Sequence, residues 1–374
     1  MSLDSIESAI AAIAAGELVI VVDDTDRENE GDLIMAAAKI TPERMAFMIR
    51  HTSGIICVPM AADRAEALNL QPMVANNRDP MRTAFTVTVD YKVGLTTGIS
   101  AEERSQTVRA LANDNCQASD FLRPGHVFPL ISREGGVLAR SGHTEAATDL
   151  AALAGLARVG VLAEVVNDDG TVKRLPELVA FAAEHDLRII SIEDIIQYRS
   201  RKDTLVRQVD RFAATVRGHE VTVTVFDTPL DALQHVAIGF GTVNDGAPVP
   251  CRIHRENTLA DLLDGPETSQ KWLGMAFDRF ARQGRGVFVL IRNPAARSDG
   301  EAEGGKGAAA DMSGEKHLSA RQRNARWREV GIGAQILRSL GVRTISLLST
   351  HEHQFVGLAG FGITIAGTEI LADF

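Results

Sequence analysis

The stretch LVIVVDDTDRENEGDLIMAAA, residues 18–38, sets two apolar runs on either side of a ten-residue segment carrying six carboxylates, Asp23, Asp24, Asp26, Glu28, Glu30 and Asp32, around the single cation Arg27. LVIVV over 18–22 has the length and β-branched content of a buried strand, and a second apolar run follows over 33–38. A run of like charges ordinarily faces water. Here the apolar flanks lie only ten residues apart and hold the acids at the end of a core sheet. That placement favours a divalent-cation or acid/base site, because hard oxygen ligands suit Mg²⁺ or Mn²⁺.

Outward from this segment the chain alternates helices and strands. An amphipathic helix over 6–15 stops at Gly16, and Thr41 with Pro42 opens a helix running to about residue 51. Strands are predicted over 54–59, 85–89, 126–131, 161–166 and 187–190. Helices are predicted over about 100–113, where Ser100 and Glu103 form a capping box, then from Thr144 to Gly155 and over 178–185. The polar segment 197–208 reads as a linker or a helical extension. Beyond it, strands are predicted over 221–226, 235–241 and 286–291, a helix over 272–283, and a loop over 294–314. The fold class is α/β (α+β). A compact first domain with a mixed sheet and surrounding helices over 1–203 is followed by a second α/β domain over 204–374.

Composition agrees with this division. A chain of 374 residues exceeds the usual size of one domain, and 45% hydrophobic with 24% charged residues is the balance of a globular enzyme. The net charge of −10 argues against a nucleic-acid partner held by phosphate contacts. Three scattered cysteines, Cys57, Cys116 and Cys251, make no disulfide framework and suit a reducing compartment. The first residues carry acids where a signal peptide has bases, and no apolar stretch reaches about 18 residues. A cytoplasmic protein with no membrane partner is expected.

Further candidate residues lie in separate motifs. In LARSGHTEAATDLAALAG, residues 138–155 include Arg140, Ser141, Gly142, His143 and Thr144 ahead of an Ala-rich helix, a place where backbone N–H groups, a hydroxyl and a guanidinium can converge on phosphate. The same pattern also reads as a plain helix cap. Glu164 stands in an apolar strand, where a carboxylate must be paired, hydrated or functional. His126 lies among Pro and Gly in RPGHVFP, which either aims it or leaves it an ordinary loop histidine. Thr96 and Thr97 precede the capped helix, and Cys57 in GIICVP reads as packing rather than as a nucleophile.

Taken in order, DDTDRENEGDL, HTSGIICVP, GLTTGISAEERSQT, DFLRPGHVFPL, GVLARSGHTEAATDLAALAG and AEVVNDDGTV resemble the 3,4-dihydroxy-2-butanone 4-phosphate synthases of riboflavin biosynthesis over residues 1 to about 200. The resemblance implies a lyase converting D-ribulose 5-phosphate to L-3,4-dihydroxy-2-butanone 4-phosphate and formate, with Mg²⁺ or Mn²⁺, two per site, in a homodimer formed through the first domain. It implies Glu28 and His143 as metal ligands, and His126, Glu164 and Asp32 as catalytic residues. Arg27, Asp32 and Glu164 would contact the sugar, Arg140, Ser141, Gly142 and Thr144 the phosphate, and Asp23, Glu30, Cys57 and Thr97 would line the pocket.

From about residue 205 the chain is similar to GTP cyclohydrolase II, through PCRIH (250–254), GRGVFVLIRN (284–293), VGIGAQILRSLGV (330–342) and GLAGFGITI. That family holds zinc with three cysteines after the R-[IV]-H strand. Here the segment reads RIHRENTLADLLDG, Asn257 stands at the first position, and no cysteine follows it. No zinc and no GTP hydrolysis are expected of the second domain. A regulatory or scaffolding role for it, or a bifunctional enzyme with an atypical second site, is the alternative reading.

Overall fold

The computed structural model describes residues 3–23, 27–79, 81, 83–230, 232–256, 269–292, 320–349 and 358–371. Asp24 and Asp26 of the acidic run, Asn257, and the stretch read as a loop over 294–314 lie outside the described residues. The chain divides into two compact units between Tyr198 and Arg199.

The first unit runs α1 (Ile6–Ala15), β1 (Val19–Val22), β2 (Gly31–Ala36), α2 (Pro42–His51), β3 (Cys57–Met60), α3 (Ala62–Ala67), β4 (Val89–Tyr91), α4 (Ala101–Leu111), β5 (Phe121–Ile131), α5 (His143–Leu153), β6 (Gly160–Glu164), α6 (Leu175–Glu184), β7 (Arg188–Ser191) and the start of α7 (Ile192–Lys202), whose last residues, from Arg199, belong to the second unit. Helix starts follow local chemistry. Ser5, Thr41 and Ser100 each accept a backbone N–H of the first turn, and Glu103 closes the box at α4. Gly16, at φ 83°, ends α1 in a conformation that costs glycine little.

The strands form one mixed sheet in the order β4-β5-β3-β6-β2-β1-β7. Both β1 and β2 are buried along their whole length, and apart from Asp32 near the start of β2 their sequences carry no charge. Helix α5 packs across β2, β3 and β6, and α6 packs on β1 and β7. Close approach needs small residues: a Cβ on Gly160 would sit 2.7 Å from that of Ala147, and one on Gly31 would sit 2.6 Å from Leu178 Cδ1.

The strand predicted over 85–89 differs from the structure. Phe85 and Thr86 make only isolated bridges, to Leu130 and Pro72, and the ladder with β5 begins at Val89. Pro129 accepts from the Thr86 N–H but has no N–H to return, so regular pairing is interrupted there. The strand predicted over 126–131 starts earlier, at Phe121, and runs through Pro124 and Gly125 where its register with β4 shifts, a bulge in the ladder. That is where proline is tolerated.

The second unit contains β8 (Arg207–Val216), β9 (His219–Asp227), β10 (His235–Phe240), β11 (Val249–Arg255), α8 (Ser269–Gln283), β12 (Gly286–Ile291), α9 (Ala320–Ser339), β13 (Thr344–Ser349) and β14 (Thr364–Ile370). Its sheet has the order β14-β13-β11-β12-β10-β9-β8. Val221, Phe240, Ala276, Phe280, Phe288, Leu348 and Leu371 form a buried core cluster. The segment expected as a linker or helical extension is helical to Lys202. Gln335 then ties it down, donating to the carbonyls of Ser200 (3.2 Å) and Asp203 (2.7 Å) and accepting from Leu205 N (2.6 Å). No helix among the described residues is long and apolar enough to cross a membrane.

Candidate active site

The connection from β1 to β2 folds around the carboxylate of Asp23, whose side chain is 1% exposed. One oxygen accepts the Glu30 N–H at 2.9 Å, and the other accepts the Glu28 N–H at 3.0 Å and the Arg27 Nη1–H at 2.9 Å. Arg174 closes the turn from outside by donating to the carbonyls of Glu28 and Asn29. These bonds bring Glu28, Glu30 and Asp32 together despite their mutual repulsion, and Arg27 also pairs with Glu28.

Sheet register supplies the next carboxylate. Asp32 on β2 pairs with Glu164 on β6, and directly opposed residues of antiparallel strands share a face. Ser53 fixes Glu164 from the turn before β3, its hydroxyl donating to Glu164 Oε2 at 2.6 Å while its N–H reaches the Glu164 carbonyl at 2.8 Å. Cys57 on β3 pairs with Leu162 on β6, and burial pushes its thiol well above the ordinary range. It is a packed, protonated side chain rather than a nucleophile.

His143 opens α5 and is buried beneath the acids. Its Nε2 lies 3.0 Å from the Val21 carbonyl. A carbonyl can only accept, so Nε2 carries the proton and Nδ1 is left with its lone pair. Nδ1 faces Glu28 Oε2 at 3.9 Å and Asp32 Oδ1 at 3.8 Å. Asp32 Oδ1 is fully buried and has no hydrogen-bond partner.

Two sets of ligand atoms occur, Asp23 with Glu28 and His143, and Glu30 with Asp32 and His143, and within each set the atoms lie within 4.8 Å of one another. Electrostatics follow from this crowding. Burial, then the Glu28, Glu164 and Asp23 carboxylates, push the Glu30 carboxyl up to about 7. The same causes, burial foremost, hold Asp32 well above the usual carboxylate range, and burial lowers His143 and keeps it neutral. An unpartnered carboxylate oxygen, an imidazole lone pair and several protonation-prone acids in one pocket fit a hard divalent cation, which displaces protons from its ligands on binding.

The start of α5 also carries the predicted phosphate residues. Gly142 at the N-cap has no side chain to occupy the first N–H groups, and Thr144 is buried in the first turn. Arg140 is held by the buried Glu145 at 2.7 Å, with its other nitrogen 3.2 Å from the Met81 carbonyl and 3.4 Å from the Thr83 hydroxyl. A Cβ on Gly142 would lie 2.4 Å from Arg140 Nη1, so glycine lets the guanidinium lie across the helix start. Ser141 is partly exposed beside it.

His126 and Thr97 belong to a second group, on β5 and the segment before α4. His126 Nδ1 lies 2.6 Å from Asp90 Oδ2. Glu103 accepts from the N–H groups of Thr96 (2.6 Å) and Thr97 (3.1 Å), and these bonds together with the Ser100 hydroxyl hold its carboxyl far below the ordinary range. Among the described residues no hydrogen bond or ion pair joins His126 directly to the acidic pocket. Sequence reasoning missed Asp90, Ser53, Glu145 and Arg174 as supports. Only Glu145 carried a usable sign, as an acid in the first turn of the helix opened by Gly142.

A family model for 3,4-dihydroxy-2-butanone 4-phosphate synthase matches residues 7–198, and one for GTP cyclohydrolase II matches residues 207–369. The chain belongs to the 3,4-dihydroxy-2-butanone 4-phosphate synthase family. A cyclohydrolase II domain follows the synthase domain. A bifunctional riboflavin biosynthesis protein of Arabidopsis thaliana, chloroplastic by name, is 44% identical over 369 residues, which is 97% of this chain and 68% of the relative. A second Arabidopsis protein, named as monofunctional, is 43% identical over 365 residues, covering 97% of this chain and 76% of the relative. A solved two-domain synthase from A. baumannii is 32% identical, with a TM-score of 0.79, over 99% of this chain and 100% of that one. A synthase solved with two magnesium ions is 46% identical, with a TM-score of 0.52, over 54% of this chain and 99% of that one. The acidic pocket lies wholly within the synthase domain.

Proposed function

We propose that the first unit converts D-ribulose 5-phosphate to L-3,4-dihydroxy-2-butanone 4-phosphate and formate in riboflavin biosynthesis, using Mg²⁺ or Mn²⁺, and that the second unit does not hydrolyse GTP. The observation that carries the first part is the pairing of two unsatisfied ligand atoms, His143 Nδ1 and Asp32 Oδ1, inside a ring of carboxylates. Glu28 and His143 would hold the metal, the His143 Nδ1 lone pair serving one ion, and two ions per site is the number carried by one solved relative. A bound divalent cation supplies Lewis acidity to the sugar's oxygens.

The chain's own groups supply the rest. Arg140, Ser141, Gly142 and Thr144 grip the phosphate, whose charge is matched by the guanidinium and the start of α5. Arg27, Asp32 and Glu164 orient the sugar, while Asp23, Glu30, Cys57 and Thr97 shape the pocket. Glu164, held by Ser53, moves protons at its carboxylate, and His126 does so at Nε2. Asp32, paired across the sheet with Glu164, is the third acid/base group.

The synthase unit exposes Ile55, Val93, Ile99 and Leu122, with Val93 65% and Ile99 54% exposed. We assign these side chains to a homodimer interface. Three free cysteines accord with a cytoplasmic enzyme.

The second unit's inactivity rests on its donors. Cys251, the only cysteine of that unit, is buried on β11, and burial pushes its thiol up to about 12. One protonated thiol cannot replace three zinc thiolates. The unit keeps a seven-stranded sheet around an aromatic core, which suits a supporting role in assembly or regulation. Product analysis on the purified full-length chain tests both parts. Formate is expected from ribulose 5-phosphate with Mg²⁺ and none from GTP with added Zn²⁺. Sustained GTP turnover would overturn the reading of the second unit.

A further inference from the structure

We propose that Asp90 is a positioning residue for the reaction: it fixes the neutral His126 ring with its proton on Nδ1 and so leaves Nε2 as the nitrogen that exchanges protons with substrate. The inference deepens the reading of His126 as an acid/base group and rests on it.

Asp90 lies on β4 with its side chain 5% exposed, and both its oxygens serve one residue. Oδ1 accepts the backbone N–H of His126 at 2.9 Å, and Oδ2 lies 2.6 Å from the His126 Nδ1. The backbone N–H can only donate, and an ionised carboxylate can only accept, so the neutral ring has a single allowed tautomer. Holding main chain and ring with one carboxylate also fixes the ring's rotation relative to its own strand. The ring remains 44% exposed, with Nε2 making no bond within the described residues.

Two glycines make the arrangement possible. A Cβ on Gly125 would lie 2.1–2.4 Å from backbone atoms of Val89 and Asp90, so only glycine lets the two strands approach at this point. Its N–H donates to the Thr88 hydroxyl at 3.0 Å. On the other side Gly98, at φ +80°, covers the pair, and a Cβ there would lie 2.4 Å from Asp90 Oδ2 and 2.5 Å from His126 Nδ1. That covering segment is in turn tied by Glu103 through Thr96, Thr97 and Ser100. Arg104 secures the same segment to the turn that carries Ser53, donating to the carbonyls of Ile99 (3.0 Å) and Gly54 (3.1 Å).

Asp90→Asn is a near-isosteric test with a definite consequence. The new amide has one acceptor, and the His126 backbone N–H requires it. The amide N–H₂ then faces Nδ1, which must become an acceptor and send its proton to Nε2. On the full-length, Mg²⁺-loaded enzyme the nitrogen resonances of His126 are expected to show Nδ1–H with a bare Nε2 in the parent and the reverse in Asp90→Asn. In the variant kcat for ribulose 5-phosphate is expected to fall roughly 10²-fold, with KM held within about threefold, because only the proton-transfer nitrogen has been altered. A parent ring protonated on Nε2 when neutral would overturn the proposal without recourse to the variant. So would a reversed ring in Asp90→Asn with kcat unchanged, or an unreversed ring with kcat unchanged. His126→Asn separates the two levels: full activity there sinks the acid/base reading of His126, while the nitrogen resonances still report whether Asp90 sets the tautomer.

Discussion

Glu28→Ala and His143→Ala are each expected to slow formate release from ribulose 5-phosphate at least about 10³-fold, since a catalytic metal contributes several kcal/mol and each 1.36 kcal/mol is a factor of ten. The two variants fail for different reasons. Glu28 contributes charge to a pocket whose other acids are already pushed toward protonation, so its loss weakens cation binding most directly. His143 contributes the neutral lone pair at Nδ1, and no other described side chain within either ligand set is a nitrogen donor. Their stabilities should also separate. Removing Glu28 relieves repulsion on Glu30 and Asp32, so the thermal midpoint of the metal-free protein should hold or rise. Removing His143 empties a buried volume and frees the Val21 carbonyl, so the midpoint should fall. Turnover near the parent rate in both variants would refute the ligand assignment.

Gly125→Ala is expected to damage the synthase unit more than any single surface change. The added methyl would overlap main-chain atoms of Val89 and Asp90, which cannot rotate away as a flexible side chain can. Either β4 leaves β5 or Gly125 shifts with His126 attached to it. Overpacking against backbone places the cost at about 3 kcal/mol or more, which corresponds to a fall in Tm of roughly 6–12 °C for a unit of this size. Activity should fall with it, since the Asp90–His126 bonds span the same two strands. A Tm within about 2 °C of the parent would show that the two strands are not packed as described.

These three variants mark what was and was not legible in the sequence. Features whose partners lie within one helical turn were readable: Ser5, Thr41 with Pro42, and Ser100 with Glu103 cap helices where their order in the chain indicates. The acidic segment was also readable as a candidate site, because its carboxylates are set between two buried strands. Its internal solution was not, since nothing local marks Asp23 as the buried acceptor around which Glu28 and Glu30 turn. Supports that act across the sheet were invisible for the same reason. Ser53 reaches Glu164 over 111 positions, and Asp90 reaches His126 over 36. Each is an ordinary polar residue until strand order brings it to its partner. In the second unit β8, with sequence RQVDRFAATV, went unpredicted because an exposed edge strand has no apolar alternation to betray it.

The central claim is that one pocket, built by the β1–β2 connection, β6 and the start of α5, performs metal-assisted chemistry on a phosphorylated sugar. The most direct measurement is formate release from ribulose 5-phosphate by the full-length chain as Mg²⁺ is supplied, removed with a chelator and restored. Turnover that appears, stops and returns in step with the ion is the predicted result. Undiminished turnover after complete chelation would contradict it.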